Sequence, residues 1–294
     1  MATLDSNPQL MVGTGWDDYR LLDSGHGRKW ESFGRHRFIR PEPQAMWAPR
    51  HADWPADSEF IPGSDEDGGG RWTQSPLLES DGWPLAWDDV RFTAQPTPFR
   101  HLQFFADMAP VWDWMRDQLG DASDAEMLNL FGYTGVGSLA LSRHGRVTHV
   151  DASKKSVAQA QVNAALSQME DRPIRWMVDD AAKFAAREVR RERRYDGIIL
   201  DPPKFGRGPK NETWRLEDSL PDLLSDCRKL LDADSRFLFL TVYAVRMSSL
   251  ALAGLVEELF SDLPGRIEHG DLVVQETGEG ARMLPTAIFA RWSN

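Results

Sequence analysis

Two short segments combine residue types whose spacing can support transfer chemistry. Residues 129–137 read Asn-Leu-Phe-Gly-Tyr-Thr-Gly-Val-Gly, and residues 200–205 read Leu-Asp-Pro-Pro-Lys-Phe. Glycines allow a sharp turn whose backbone N–H groups can approach a nucleotide-like ligand closely. A carboxylate that ends a buried strand beside two prolines can present acceptors to a flat amine or base. In this order, the two segments predict a site for a nucleotide-like ligand beside a site for a flat amine or base.

The glycine segment follows a predicted strand directly and opens a predicted helix. Its glycines, Gly132, Gly135 and Gly137, are spaced G-x-x-G-x-G, which does not match the dinucleotide pattern G-x-G-x-x-G. The segment therefore predicts a turn that binds a nucleoside-like cofactor, and an ordinary strand-to-helix turn is the alternative.

Acidic residues end the next two predicted strands. Asp151 lies 19 residues after Gly132, where a carboxylate can accept hydrogen bonds from both ribose hydroxyls. Asp179 and Asp180 follow the third strand, and one of them, with Asp180 favoured, can accept from an adenine amino group while the next backbone N–H, that of Ala181, donates to a ring nitrogen. The alternative for all three aspartates is that they only begin or cap the following helix.

The proline segment is the most specific of these elements. The Asp201 carboxylate and the Pro202 carbonyl can accept from a target amine and align it with a methyl group, and Phe205 can stack on a flat base. Lys204 and Arg207 begin a glycine-containing segment that predicts either a substrate loop touching phosphates or a solvated connection.

The elements that must position these residues alternate between strand and helix from residue 126 onward. This pattern predicts an α/β fold, a doubly wound and mostly parallel sheet whose ligands bind at the carboxyl ends of the strands. We expect a β-rich N-terminal subdomain over residues 1–98, with a loose tail over 1–15, a β-meander over 16–50 and a long acidic loop over 51–82. The second domain is expected over residues 99–294, beginning with helical structure over 99–119.

Composition narrows the class of protein. The net charge of −11 disfavours a broad nucleic-acid surface, yet residues 26–50 carry six basic and two acidic residues, for a net charge of +4. This segment predicts either one specific RNA contact or a solvated hairpin. The lone Cys227, the absence of histidine spacing for a metal and apolar runs too short for a membrane span predict a cytoplasmic protein with no metal.

On these motifs the chain resembles class I S-adenosylmethionine-dependent methyltransferases, and it is similar to the bacterial large-subunit ribosomal RNA methyltransferase family, in a shorter branch without the PUA domain. The resemblance implies a Rossmann-like fold, S-adenosylmethionine as cofactor and ribosomal RNA as partner. It also adds pocket residues from the segment His101-Leu-Gln-Phe-Phe-Ala-Asp107. The implied cofactor-binding residues are Phe104, Phe105, Asp107, Asn129, Phe131, Gly132, Tyr133, Thr134, Gly135, Gly137, Asp151, Ala152, Ser153, Asp179, Asp180 and Ala181.

One departure from that family bears on the modified atom. Members that methylate cytosine C5 use a cysteine after the fifth strand, where this chain reads Thr241-Val-Tyr-Ala. Without a thiolate to attack C6, the expected target is a nitrogen of the base. A protein side chain or a small molecule is the alternative substrate. A non-catalytic, cofactor-binding RNA assembly factor is the alternative outside the enzymes, and a nicotinamide dehydrogenase is a more distant one.

Overall fold

The computed structural model describes residues 1–63, 69–73, 81–243 and 245–294. The chain forms two compact units, each made of more than one segment. The first unit comprises Met1–Met11, Val111–Leu272 and Ala287–Asn294, and the second comprises Val12–Pro110 and Val273–Thr286. The domain boundary expected at residue 98 stays a prediction. No helix in the described ranges is long and apolar enough to cross a membrane.

Strands predominate before residue 100, and strands alternate with helices after it. In chain order, the strands are β1 Thr3–Leu4, β2 Gln9–Gly13, β3 Tyr19–Gly25, β4 Arg28–Phe33, β5 His36–Pro41, β6 Ser58–Pro62, β7 Gly70–Trp72, β8 Trp83–Trp87, β9 Val90–Ala94, β10 Ala125–Leu130, β11 Gly145–Asp151, β12 Ile174–Val178, β13 Gly197–Leu200, β14 Phe205–Arg207, β15 Thr213–Arg215, β16 Phe237–Tyr243, β17 Arg266–Gln275 and β18 Met283–Ser293. The helices are α1 Ala109–Leu119, α2 Val136–Leu141, α3 Lys154–Leu166, α4 Ala181–Arg190, α5 Leu216–Lys229 and α6 Ser249–Phe260, with a short 3₁₀ helix at Ala106–Met108.

The first unit is built on a mostly parallel sheet. Its strands follow the order β1-β17-β18-β16-β13-β10-β11-β12. Strands β16, β13, β10, β11 and β12 are parallel to one another, and β18 pairs antiparallel with β16. The chain passes from β10 outward to β11 and β12 and then returns to β13 on the other side. The predicted α/β fold with a doubly wound, mostly parallel sheet is confirmed, and its switch point lies between β10 and β13.

Helices cover both faces of this sheet. Leu128 and Leu130 lie with Phe184 of α4 and Leu224 of α5 in one buried cluster. On the opposite face of the sheet, the Trp114 ring of α1 packs 5.6 Å from the Phe237 ring and also contacts the Phe239 ring of β16. Because successive side chains of a strand point to opposite faces, strands covered on both sides must be apolar almost throughout, as β13 and β16 are.

Polar side chains cap three of the helices that follow these strands. The Ser153 side chain accepts from the Ser156 N–H at the start of α3, as the sequence predicts. Asp180 caps α4 in the same way, and Ser248 caps α6. A side-chain oxygen at this position satisfies one of the N–H groups that a helix leaves without a partner in its first turn.

The second unit contains a five-stranded sheet and a separate hairpin. The sheet order is β3-β4-β5-β6-β7, and β8 pairs with β9. Its core is aromatic: the Phe38 ring stacks 5.6 Å from Trp83 and lies edge-on to Phe33 and Trp72. The β-meander predicted for residues 16–50 is confirmed as β3, β4 and β5.

Two segments expected to lack regular structure contain strands. In the tail of residues 1–15, β1 pairs in parallel with β17. The Thr3 N–H donates to the Gly265 carbonyl just before β17, and the Asp5 N–H donates to the Ile267 carbonyl within it. In the expected loop of residues 51–82, β6 and β7 pair with each other, and the rings of Phe60 and Trp72 pack 5.2 Å apart. Residues 64–68 and 74–80 of that loop lie outside the described residues. Both predictions were wrong where strands form. The partner of β1 is distant in sequence, whereas β6 pairs with the nearby β7 and also with β5.

Two further expectations need correction. The helix expected over residues 99–119 begins only at Ala109, since Gln103 has a φ of 68° and Phe105 is extended. The segment after Lys204, expected to be a loop, forms a hairpin in which β14 and β15 pair through three residues each. The hairpin matters because it begins at Phe205, one of the predicted site residues.

Candidate active site

The register of the parallel sheet brings the predicted site residues to one edge. Leu130 of β10 pairs with Val150 of β11 and with Leu200 of β13. The residues that follow, among them Phe131, Asp151 and Asp201, therefore lie side by side at the carboxyl ends of their strands. The next strand joins the same row, because the Asp179 N–H donates to the Asp151 carbonyl at 3.1 Å.

At two glycines of the turn, neighbouring atoms pack so closely that there is no room for a side chain. At Gly132 an added Cβ would lie 2.5 Å from the His149 ring, and at Gly135 it would lie 2.7 Å from the Ala160 Cβ of α3. Gly135 also has a φ of 81°, a left-handed conformation that glycine adopts without steric cost, and it serves as the N-cap of α2. Both positions therefore require glycine for the turn to keep its shape.

Two residues without this freedom share the left-handed conformation. Phe131 has a φ of 59° and Tyr133 a φ of 50°. Such conformations cost on the order of 1–3 kcal/mol each in residues with a Cβ and concentrate at ligand-binding sites. The turn is held in this state by the Asn163 side chain, which donates to the Thr134 carbonyl at 2.9 Å, and by the Asp151 carboxylate.

A buried polar chain lies beneath the turn. The Asn129 amide donates to the Ser138 hydroxyl at 2.9 Å, and that oxygen lies 2.9 Å from His149 Nδ1. Burial lowers the pKa of His149 to about 3, partly opposed by a hydrogen bond to the Tyr133 backbone, so the ring is neutral. The sequence prediction included Asn129 but missed Ser138 and His149. The available signal for His149 was a Thr-His pair between the two valines of the β11 strand.

Asp151 links the turn to the start of α3. One carboxylate oxygen accepts from the Tyr133 N–H at 2.9 Å, and the other accepts from the Ser153 N–H at 2.8 Å. Burial raises the pKa of Asp151, and these two N–H donors oppose that rise. The helix cap is Ser153 and not Asp151, so the carboxylate is oriented by the turn and remains half-buried at the sheet edge.

Asp179 and Asp180 have different partners. The Asp180 side chain accepts from the Lys183 N–H at 2.9 Å, which is the capping role given as its alternative. Asp179 accepts from its neighbour's N–H and pairs with the Arg187 guanidinium. Capping uses one Asp180 oxygen, and the assignment of an adenine contact to Asp180 stays a prediction.

The proline segment leaves the sheet next to the glycine turn. Strand β13 is buried throughout, Asp201 is half-buried, and Pro202 is buried. The Pro203 carbonyl accepts from Trp214 Nε1 at 2.7 Å, and the Leu216 N–H donates to the Lys204 carbonyl at 3.0 Å. The backbone is thus held by the sheet pairing of Leu200 before Asp201 and by these two hydrogen bonds after Pro202, which keep the Asp201–Pro202 pair in one orientation.

Trp214 is the anchor that the sequence prediction missed. Its side chain is 5% exposed, and its ring lies 5.0 Å from the Phe131 ring at the start of the glycine turn. The same residue therefore contacts both predicted segments. Its signal in the sequence was only a lone tryptophan in a polar, glycine-containing stretch, which does not show what the ring packs against.

The hairpin presents an aromatic and a basic side chain to solvent. Phe205 is 47% exposed, and the Arg207 guanidinium lies 5.8 Å from its ring centroid. Arg207 also donates to the Thr213 hydroxyl across the hairpin. Lys204 is exposed before the first strand of the hairpin.

The three pocket residues implied by the resemblance lie in the second unit. Phe104 is buried and packs 4.5 Å from the Phe92 ring, so most of its surface already has a protein partner. Phe105 contacts His101, and Asp107 is buried. Their role toward the cofactor stays a prediction.

The strand that would carry a thiol in cytosine C5 enzymes has none. Thr241 is buried within β16, Tyr243 ends the strand, and residue 244 lies outside the described residues. Cys227 is fully buried on α5, where burial raises the pKa of its thiol, so it is a core residue as predicted. The described part of the chain has no cluster of histidine, cysteine or acidic residues able to hold a metal ion.

Comparison with known proteins gives a match over nearly the whole chain. The crystal structure of the S-adenosylmethionine-dependent methyltransferase from Agrobacterium tumefaciens is 39% identical. The match covers 99% of this chain and 95% of that one, with a TM-score of 0.93. Residues 109–216, which include the glycine turn and the proline segment, match the family model described as Conserved hypothetical protein 95.

Curated relatives match over shorter stretches. Ribosomal RNA large subunit methyltransferase I of Alteromonas mediterranea is 36% identical over 86 residues, 29% of this chain and 22% of that protein. Ribosomal RNA large subunit methyltransferase K/L of Shewanella amazonensis is 31% identical over 140 residues, 46% of this chain and 19% of that protein. The chain thus spans about a fifth of the length of these relatives.

Proposed function

Because the chain belongs to the S-adenosylmethionine-dependent methyltransferases, we propose that it methylates a nitrogen of a base in ribosomal or other structured RNA. The observation that supports this proposal is the row of residues at the carboxyl edge of the sheet. The glycine turn, Asp151 and Asp201 lie on adjacent strands there, so a nucleoside on one side and an acceptor on the other can meet over β10 and β13.

The cofactor side of the site contains a turn and a carboxylate that already contact each other. The turn at Gly132 and Gly135 allows close approach of the ligand to backbone groups, and Asp151 accepts from the ribose hydroxyls. Asp179 and Asp180 lie at the end of the neighbouring strand, where one of the two carboxylates, Asp180 in preference, accepts from the adenine amino group and the Ala181 N–H donates to a ring nitrogen. S-adenosylmethionine supplies an activated methyl group on sulfur, so the protein has to align the acceptor and exclude water.

The acceptor side consists of Asp201, Pro202 and Phe205. The Asp201 carboxylate and the Pro202 carbonyl accept hydrogen bonds from an amine and thereby orient its lone pair toward the methyl group. Phe205 stacks on the base, and Lys204 and Arg207 contact nearby phosphates. The hydrogen bond from Trp214 to the Pro203 carbonyl supports this arrangement, because it fixes the backbone that carries both acceptors.

The chemistry of the fifth strand favours nitrogen over cytosine C5. Methylation at C5 needs a covalent bond from the enzyme to C6, and the expected position has Thr241 in place of a cysteine. Cys227 is buried on a helix and is no substitute. An amine nitrogen already has a lone pair and needs only orientation.

Support for RNA as the substrate class comes from the relatives. Two of them are named as methyltransferases of large-subunit ribosomal RNA. The second candidate is a protein side chain or small molecule, which the net charge of −11 favours because a polyanion is repelled by an acidic protein.

Nucleoside mass spectrometry tests the proposal. Ribosomal RNA from a deletion strain is compared with wild type and with the deletion strain expressing the Asp201→Ala variant. We expect one methylated nucleoside, modified on nitrogen, to disappear in the deletion strain and to stay absent with the variant. An unchanged nucleoside profile would move the proposal to the protein or small-molecule substrates, and restoration by the variant would refute the acceptor site.

A further inference from the structure

The five-stranded sheet of the second unit has an outer face rich in arginine and tryptophan. In an antiparallel pair, directly opposed residues share a face, and Ser32 of β4 opposes Arg20 on β3 and Arg37 on β5. Trp30 lies two residues from Ser32 and therefore points to the same side. We call this surface the arginine–tryptophan face. Its members are Arg20, Arg28, Trp30, Arg37, Trp54 and Arg71.

Four of these side chains form a continuous stack. The Trp30 and Trp54 rings lie 6.4 Å apart and within 14° of parallel. The Arg37 guanidinium lies 5.7 Å from the Trp30 centroid, and the Arg28 guanidinium lies 5.6 Å from the Trp54 centroid. Both arginines are exposed and both rings are partly exposed, so the stack is open to a ligand.

The charge of this face is opposite to that of the whole protein. Arg20, Arg28, Arg37 and Arg71 are all exposed. Among the described residues, the Glu59 carboxylate lies 3.2 Å from the Arg28 guanidinium, and the Asp57 carboxylate accepts from the Arg37 backbone N–H. The opposite side of the same strands is different, because Glu31 there is buried and bound by Arg40. A positive outer face on a protein of net charge −11 is a local feature that fits a negatively charged partner.

We propose that the arginine–tryptophan face binds an unpaired stretch of the RNA substrate. Bases stack on the tryptophan rings or on the guanidinium planes that cover them, and the outlying arginines contact phosphates. An acidic peptide would satisfy the arginines but would offer no flat rings for Trp30 and Trp54. Stacking is tolerant of sequence, so this face positions the RNA while the acceptor site selects the base. The inference rests on the proposed RNA substrate.

Charge reversal tests the phosphate contacts. The full-length variant Arg20→Glu/Arg37→Glu/Arg71→Glu is compared with Arg172→Glu/Arg190→Glu/Arg194→Glu, which makes the same change of charge at exposed positions in the first unit. The probe is a fluorescent oligouridylate, measured by anisotropy across a range of salt concentrations. We expect the first variant to bind at least about tenfold more weakly. The slope of log binding constant against log salt concentration should be smaller in magnitude by about 2, because each lost single-strand phosphate contact contributes about 0.7. The control variant should stay within about threefold of wild type.

Substitution of Trp30 tests the stacking. Trp30→Ala should weaken oligouridylate binding by about tenfold without changing the salt slope, since a stacked base is lost and no charge is. Trp30→Phe keeps a ring and should retain most of the affinity. Duplex RNA of the same length should bind more weakly than the single strand, because its bases are already stacked. Affinity for S-adenosylhomocysteine should be unchanged in every variant.

The results separate this inference from the proposed function. Three results would overturn the inference: the first charge variant binds oligouridylate as tightly as wild type, both charge variants lose the same affinity, or polyglutamate binds as tightly as oligouridylate. In each case, methylation of ribosomal RNA by wild type would still support the proposed function. A wild-type protein that neither binds oligouridylate nor methylates RNA would overturn both.

Discussion

The carboxylates of the two units differ in how deeply they are buried and in how many hydrogen bonds they accept. In the first unit, Asp151 and Asp201 lie half-buried where parallel strands end. In the second unit, Asp23 and Glu31 are fully buried inside the structure, and each accepts several hydrogen bonds. Glu31 receives two from Arg40 and one from Tyr19, and Asp23 receives bonds from Arg282, Trp54 and the His51 backbone.

The difference concerns the surroundings of each carboxylate. Asp151 at the sheet edge accepts from two backbone N–H groups, as expected of a residue that also contacts a ligand, whereas Glu31 accepts from a guanidinium group and a tyrosine hydroxyl inside the fold. Buried ion pairs do not add much stability compared with apolar packing, but removal of one partner is costly. Substitutions in the two units should therefore affect different properties, namely folding in one and catalysis in the other.

The largest expected effect is on folding of the second unit. Arg40→Met leaves the buried Glu31 carboxylate without its main partner and should lower the free energy of unfolding by about 3–5 kcal/mol. The exposed pair Lys229–Asp226 on α5 provides the control, because Lys229→Ala should change the free energy by less than about 1 kcal/mol. Urea denaturation measures both. A small effect of Arg40→Met would show that the two units do not differ in this respect.

Asp201→Ala should be the next largest effect and should appear in catalysis alone. Loss of one acceptor misaligns the target amine, and we expect kcat to fall about 100-fold or more. The affinity for S-adenosylhomocysteine, measured by calorimetry, should stay within about twofold. Asp201→Asn keeps one acceptor oxygen and should retain part of the activity. Equal losses of activity and cofactor affinity would indicate that Asp201 supports the whole site instead of the acceptor.

A smaller effect is expected from Gly132→Ala. The added Cβ would lie 2.5 Å from the buried His149 ring, so the turn must move, and affinity for S-adenosylhomocysteine should fall about tenfold. Gly254→Ala in α6 is the matched control, since a Cβ there meets nothing within 4 Å. That control should leave affinity unchanged and should raise stability by about 0.5–1 kcal/mol, because alanine is the better helix former. Unchanged affinity in the Gly132 variant would contradict the assignment of the turn to the cofactor.

The smallest expected effect is on the pH dependence of stability, which tests the role of the buried Glu31 carboxylate in the second unit. Burial would raise the pKa of Glu31, but Arg40 and Lys29 lower it to about 2, from 4.5 for an unperturbed glutamate. Because the folded pKa is the lower one, the ionised side chain stabilises the fold above pH 4.5, and this contribution is lost as the pH falls toward 2. In urea unfolding over this range, Glu31→Gln should show a shallower loss than wild type. An identical acid slope in the two proteins would remove Glu31 as the cause.

The basic segment of residues 26–50 shows how far sequence alone can mislead. The sequence predicted either an RNA contact or a solvated hairpin for this segment. Neither alternative describes Lys29, Arg40 and Arg50, because each of these side chains is paired with a buried carboxylate. Arg28 and Arg37 are instead exposed and lie over tryptophan rings. Alternation along β4 and β5 decides which cation lies inside, and the pairing register that sets it depends on neighbouring strands.

Most of the candidate site, by contrast, could be predicted from local patterns. The predicted site residues from Asn129 to Asp201 lie at the ends of strands that the sequence predicts, in the turns that follow them or at the starts of the next helices. Parallel strands bring such positions to one edge of the sheet. What could not be predicted were residues that act at a distance. Trp214 donates a hydrogen bond to the Pro203 carbonyl, 11 residues before it in the chain, and the His149 ring packs against Gly132 from the neighbouring strand.

The sequence by itself thus determined the class of fold, the family resemblance and the order of the motifs, because these depend on short-range spacing and hydrophobic periodicity. The tertiary structure alone decided which charges are buried, which strands pair, and how the glycine turn and the proline segment are held. Those outcomes depend on contacts between residues far apart in the chain. The free-energy cost of burying a charge, or of adding a Cβ to a glycine, depends on the residue that packs against it, and the sequence alone does not identify that residue.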